Sequence, residues 1–231
     1  MSAHPPFALA ALDMAGTTVQ EGGAVYAALD EAVAARIGRA VPAETLHRWT
    51  GTSKREAAAG LLTELTGAAA EADVDAVYAD FTVRLAEAYA ASPPVALPGV
   101  TEAVGELRAA GVKVVLQTGY SREVATSILK AMGWTVADGA GGTVDGLVAS
   151  DEVAASRPAP YLVFRAMELA GVTDVARVLV AGDTPNDLRA GVNAGAGFVV
   201  GVLSGAGTAP ELGACRHTHL LESAALLPGL L

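Results

Sequence analysis

The chain has 231 residues, enough for one medium domain or for a core carrying a smaller insert. Its 25 Asp and Glu against 15 Lys and Arg give a formal net charge of −10, so it has no basic stripe with which to neutralise a nucleic-acid backbone. Any anionic substrate must then be held by a local positive patch working against the field of the whole chain.

Hydrophobic residues make up 52% of the sequence, much of it alanine, which favours helices. Cys215 is the sole cysteine; it excludes an intrachain disulfide and reads as a small apolar residue in a reducing, cytoplasmic setting. Met1 to Phe7 has neither a charged start nor a long apolar stretch, and no apolar run reaches membrane-spanning length. Neither a signal peptide nor a membrane partner is expected.

Phe7 to Leu12 reads as a strand buried on both faces, closed by Asp13 and the small, polar turn Met14-Ala15-Gly16-Thr17-Thr18. Helical spacing follows at Val25–Arg36, Ala43–Trp49, Lys54–Leu65 and Val74–Ala91, with no strand pattern between Gly22 and Ser92. Ser92-Pro93-Pro94 and Pro98-Gly99 punctuate the end of that helical block. Next come a helix at Val100–Ala110, a strand at Val112–Gln117, a helix at Glu123–Met132 and a short strand within Thr143–Ala149. A helix at Tyr161–Ala170, a strand at Arg177–Ala181, a helix at Asp187–Ala194 and a strand at Gly197–Leu203 complete the rhythm, before a last strand at His217–Leu220 and a short terminal helix. This alternation predicts an α/β, Rossmann-like parallel sheet with helices on both faces, built from residues 1–20 and 95–231, with residues 21–94 as an inserted α-helical cap. Glu21-Gly22-Gly23 reads as the hinge into that insert, and Tyr120 as a residue of the site mouth.

The C-terminal ends of parallel strands are where ligands bind in open α/β sheets. Asp13 stands at one such end, either as a cap of the turn or as a functional carboxylate, and Gly16 and Thr17 lie in a turn able to bend around an anion. Asp183, in Ala181-Gly182-Asp183-Thr184-Pro185-Asn186-Asp187, ends another apolar run. Two such carboxylates on adjacent strands would converge as a hard-cation site of the Mg²⁺ type. Thr118 and Gly119 offer a hydroxyl and an unhindered N–H at a third strand end, as either a phosphate site or a simple turn. Arg157, before Pro158, is either a surface residue or the cation that a phosphate requires.

In order and spacing, Asp13–Thr17, Thr118, Arg157 and Gly182–Asp187 resemble the four motifs of the haloacid dehalogenase-like hydrolase superfamily, and residues 21–94 resemble its helical cap. The resemblance implies a Mg²⁺-dependent hydrolase of a small phosphorylated or phosphonate substrate, working as a monomer or homodimer. Asp13 would attack phosphorus to form an aspartyl-phosphate, Thr118 and Arg157 would hold the transferring group, and Mg²⁺ would lie on Asp13, Asp183, Asp187 and the Ala15 carbonyl.

The chain departs from the phosphatase pattern at Ala15, where phosphatases of the superfamily carry an acid–base aspartate. The run Asp13-Met14-Ala15-Gly16-Thr17-Thr18 resembles instead the phosphonatase branch, the phosphonoacetaldehyde hydrolases, which cleave a P–C bond through an imine on a cap lysine. Of the three lysines, Lys54 matches that position, three residues after Gly51. It is read as the imine-forming amine, as an anion grip, or as a solvated helix start; the grip reading goes with a phosphatase of small monoesters. A non-catalytic phosphate-binding domain is a third function class. The histidine that the branch carries three residues after its lysine is Ala57 here, leaving Glu56 or water to fill its role. His4, His47, His217, His219 and Trp134 are read as surface or packing residues, and Trp49 as a packing residue close enough to the Lys54 loop to line the cleft.

Overall fold

The computed structural model describes residues 5–137 and 141–231; His4 lies outside them. In chain order the elements are β1 (Leu9–Leu12), β2 (Val19–Gln20), α1 (Ala24–Ile37), α2 (Ala43–Arg48), α3 (Lys54–Thr66), α4 (Glu71–Ala91), β3 (Val95–Ala96), α5 (Val100–Ala109), β4 (Lys113–Gln117) and α6 (Arg122–Ala131). They continue with β5 (Gly146–Val148), α7 (Tyr161–Ala170), β6 (Val178–Gly182), α8 (Pro185–Ala194), β7 (Phe198–Val202), α9 (Ala209–Gly213) and β8 (His219–Leu221), ending in a 3₁₀ turn at Ala224–Leu230.

Six strands form one parallel sheet in the order β5-β4-β1-β6-β7-β8. β1 is central, and its alternation serves two cores. Ala10 and Leu12 join Val114, Leu116 and Ile128 on the face covered by α5 and α6. Leu9 and Ala11 join Val115, Leu162 and Val163 on the face covered by α7. A strand buried on both sides shows no polar alternation, which is why this stretch reads as a continuous apolar run. The register places Leu12 beside Leu116 on one neighbour and Ala181 on the other. Asp13, Thr118 and Asp183 therefore leave three adjacent strands at the same edge.

The expected α/β architecture is the observed one, with element ends displaced by one to three residues, as fraying and capping ordinarily allow. The Thr143–Ala149 strand is shorter, at Gly146–Val148, and the last strand begins at His219. The terminal helix is 3₁₀ rather than α, with Pro228 inside it. Besides two 3₁₀ turns, at Ser150–Glu152 and Val175–Arg177, two elements have no counterpart in the sequence reading. One is α9, started by Thr208, whose side chain accepts from the Glu211 N–H. The other is an antiparallel ribbon in which Val19 pairs with Ala96 and Gln20 with Val95, too short to carry a periodic signal.

That ribbon brackets α1–α4, so the chain leaves and re-enters the sheet portion at one place. Gly22 and Gly23 both have φ near +70°, a conformation open to glycine, and the Glu21 carboxylate accepts from the Val25 N–H at the start of α1. Val25, Leu29, Leu61, Val77, Phe81 and Leu85 form the interior of the helical block. Trp49 packs against Gly60, where a Cβ would collide with the indole, and its Nε1 donates to Glu64 at 3.0 Å. It does not line the cavities around Lys54, which corrects the expectation of a place at the cleft. No helix among the described residues is long and apolar enough to cross a membrane.

Candidate active site

Asp13, Asp183 and Asp187 bring one carboxylate oxygen each within 4.8 Å of one another, and all three residues are buried. Asp13 is carried by β1, Asp183 follows β6, and Asp187 sits in the first turn of α8. Asp187 doubles as a cap: its carboxylate accepts from the Thr184 N–H and hydroxyl, while Thr184 Oγ1 accepts from the Asp187 N–H. Asp183 accepts from the Thr17 hydroxyl at 3.2 Å and from the Ala206 N–H at 2.7 Å. Gly16 and Gly205 flank it so closely that a Cβ at either would collide with its carboxylate.

Arg157 is 2% exposed and pairs with Asp13 at 2.7 Å and with Asp187. One guanidinium thus faces three buried carboxylates, leaving a surplus of negative charge. Burial pushes Asp13 up to about 6 despite the opposing pull of Arg157, with repulsion from Asp187 adding to the rise. Burial, then repulsion from Asp13 and Asp187, holds Asp183 well above the usual carboxylate range. A buried all-oxygen cluster with this surplus suits a hard divalent cation.

The polar groups of Gly16 and Thr17 are engaged within the turn. Gly16 N–H donates to the Val19 carbonyl, Thr17 N–H to the Met14 carbonyl, and the Thr17 hydroxyl to Asp183. Their observed work is to fold the turn and hold Asp183. Thr118 and Gly119 do reach the cavity of about 20 Å³ beside Asp13, together with Ala15, Tyr26, Lys54 and Arg157. Thr118 Oγ1 accepts from the Tyr120 N–H at 3.2 Å, leaving its proton to donate.

Lys54 lies in that same cavity and is only 6% exposed, so it is not a solvated helix-start residue. Ser53 caps α3 by accepting from the Glu56 N–H, which starts the helix with Lys54 turned inward. The Lys54 Nζ donates to the Thr52 carbonyl at 2.9 Å and stands 5.1 Å from the centre of the Tyr26 ring. Burial, then the nearby Arg157 cation, pushes its ammonium down to about 8, although Asp13 and Glu21 act the other way.

The residues that bring Lys54 to Asp13 had no motif to reveal them. Asn186 Nδ2 donates to the Thr50 carbonyl at 2.7 Å, and Ser156 N–H donates to Glu56 at 3.0 Å. Tyr26 Oη accepts from the Gly51 N–H. Glu56 is thereby committed to the Ser156 backbone, and Ala57 is fully buried. The glycines close the seam: a Cβ at Gly119 would stand 2.5 Å from the Thr52 carbonyl oxygen, and one at Gly51 would collide with Thr184 Oγ1.

The haloacid dehalogenase-like hydrolase family model matches residues 7–195, a span containing Asp13, Lys54, Thr118, Arg157, Asp183 and Asp187. The chain belongs to that family. Among curated relatives, a phosphonoacetaldehyde hydrolase of Bacillus cereus is 34% identical over 207 residues, covering 84% of this chain and 74% of that protein. One from Parabacteroides distasonis is 35% identical over 134 residues, covering 58% of this chain and 48% of that protein, so this hydrolase aligns with only about half the length of some relatives. The fold is shared with a hydrolase from Pseudomonas syringae (TM-score 0.82, 22% identity, 96% and 97% of the two chains). It is shared too with a phosphonoacetaldehyde hydrolase like protein from Oleispira antarctica (TM-score 0.80, 23% identity, 100% and 93%).

Proposed function

We propose that this hydrolase cleaves the P–C bond of phosphonoacetaldehyde or a close relative, through an aspartyl-phosphate on Asp13 and an imine on Lys54. The observation that carries the reading is that Lys54 and Asp13 line one cavity with Thr118 and Arg157. A lysine held near 8 has a substantial neutral fraction at neutral pH, which attack on an aldehyde requires.

Asp13 is the nucleophile toward phosphorus. Thr118 Oγ1, Gly119 N–H and Arg157 hold the phosphoryl oxygens, with Gly16 and Thr17 shaping the turn beneath them. Asp13, Asp183, Asp187 and the Ala15 carbonyl are the ligands for Mg²⁺, which when bound neutralises phosphoryl charge. Residues 21–94 act as the cap that excludes water, and residues 1–20 and 95–231 as the catalytic core. Protonation of the imine lets the departing carbon leave as a neutral enamine rather than as a carbanion. An acid on the leaving atom is then dispensable, in keeping with Ala15.

Ala57 favours a second reading, a phosphatase of small monoesters in which Lys54 grips an anion. The deciding experiment is incubation with phosphonoacetaldehyde and Mg²⁺. The first reading expects acetaldehyde and phosphate in equal amounts and a borohydride-fixed adduct on Lys54. Turnover of monoesters without that adduct, accelerated by Ala15→Asp, would establish the second.

A further inference from the structure

The cavity that Lys54 shares with Asp13, Thr118 and Arg157 has room for about one water molecule. A second cavity, of about 490 Å³, lies in the seam between the helical block and the sheet portion, and Lys54 is the residue common to both. The two are bounded by the same two runs of chain. Thr52 lines the small cavity and Ser53 the large one; Gly119 and Tyr120 line the small one and Ser121 the large one. From the large cavity Ser150 Oγ reaches the Gly119 and Tyr120 carbonyls, at 3.1 and 3.0 Å, which ties its wall to that of the site.

The inference rests on the P–C cleaving reading above. In that reading Lys54 bonds the carbonyl carbon while the phosphoryl group lies on Asp13. A trigonal carbon carries one further substituent, which is hydrogen in an aldehyde. With the phosphorus-bearing carbon turned to Asp13, that substituent is turned away from it, and the space that Lys54 opens onto there is the larger cavity. The hinge cavity, about 520 Å³, meets the small one at Ala15, Tyr26 and Asp183 and does not include Lys54, so it gives a carbonyl substituent no exit.

The wall also has a sign. Arg55 is held in ion pairs by Glu71 and Asp75, at 2.5 and 2.6 Å, and Glu56 by the Ser156 N–H. Asp151 accepts one bond, from the Arg122 N–H at 2.9 Å, and Glu123 has no hydrogen-bond or ion-pair partner among the described residues. The charge left to meet a ligand is negative, which suits hydroxyl donors and opposes a carboxylate.

We propose that the enzyme accepts β-ketophosphonates, the ketone carbon bonding Lys54 and a hydroxylated tail lying in the larger cavity between Thr82 and Glu123. The Lys54 amine adds to the ketone and water departs, leaving a ketimine that takes up a proton. The P–C electron pair enters the enamine as phosphorus passes to Asp13, and the terminal carbon then takes up a proton. One water hydrolyses the imine and frees Lys54; another hydrolyses the aspartyl-phosphate. The products are a methyl ketone and phosphate, with one water consumed overall.

The test is phosphate release, with Mg²⁺, from phosphonoacetaldehyde, acetonylphosphonate, and two acetonylphosphonates lengthened by a propyl chain ending in hydroxyl or carboxylate. The hydroxyl-ended ketone should show a kcat/KM about tenfold above that of acetonylphosphonate, and the carboxylate-ended one should fall below it. Thr82→Phe, which fills the cavity, should erase that gain while phosphonoacetaldehyde is turned over as before. Glu123→Lys should raise the carboxylate-ended ketone above the hydroxyl-ended one. Equal values for the three ketones, turnover of phosphonoacetaldehyde with none of any ketone, or a ranking that neither variant moves would each overturn the tail site and leave the P–C reading standing. Absence of phosphate release from phosphonoacetaldehyde and from every ketone would remove both.

Discussion

The carboxylate of Asp13 and the guanidinium of Arg157 meet at 2.7 Å, in a site from which solvent is almost wholly excluded. Arg157 also serves Asp187, so among the described residues it is the cation in direct ion pairs with both members of that buried pair. Truncating one partner of a buried pair strands the other charge, a loss of about 3–5 kcal/mol. Arg157→Met should therefore lose about that much stability by denaturant unfolding in EDTA. Mg²⁺ should recover part of the loss, because it neutralises the same carboxylates.

Asp13→Asn should abolish turnover and prevent any acid-stable phosphoenzyme mass from appearing, while the protein stays folded. Its effect on stability has a definite sign. The folded Asp13 titrates near 6 against an ordinary 3.8, so its contribution to stability is lost as pH rises between those values. At pH 7 the metal-free Asn variant should then melt above the metal-free wild type. Added Mg²⁺ should raise the wild type more than the variant, and EDTA should silence wild-type turnover.

Lys54 makes the opposite prediction at higher pH. Its folded value, about 8, lies below the ordinary 10.5, so the unfolded chain binds more protons between the two and stability rises with pH across that window. Lys54→Met should be more stable than the wild type at pH 7, by on the order of 3 kcal/mol, with the gap closing by pH 10.5. The rate of borohydride-trapped adduct should rise with pH through about 8 in the wild type. Lys54→Arg, which cannot form the imine, should give no adduct.

Gly119→Ala pits a methyl against the Thr52 carbonyl that holds Lys54. The 50–53 loop must then back away, carrying Lys54 off Asp13. A displacement on the order of 1 Å costs about 100-fold in rate. Steady-state kinetics should show that loss in kcat, and amine-directed labelling of Lys54 should become faster as the seam opens.

The acidic strand ends are legible in the residues themselves. Asp13 and Asp183 each end an apolar run, and the doubly buried strand at Leu9–Leu12 writes its role as an uninterrupted hydrophobic stretch. Lys54 stands out because only three lysines exist. Other features leave no such trace. The β2–β3 ribbon is two residues long on each side. Trp49 sits near the Lys54 loop in sequence but covers Gly60 and donates to Glu64, contacts that closeness in sequence does not reveal.

Local pattern by itself determined the parallel α/β framework, the helical insertion and the acidic strand ends, because periodicity and punctuation are written residue by residue. Tertiary structure alone decided which groups meet. Asn186 reaching Thr50, Glu56 reaching Ser156 and Thr17 turning to Asp183 join residues up to 166 positions apart. The first two depend on how the helical block closes over the sheet and the third on two strand ends lying side by side, and no short window of sequence encodes either.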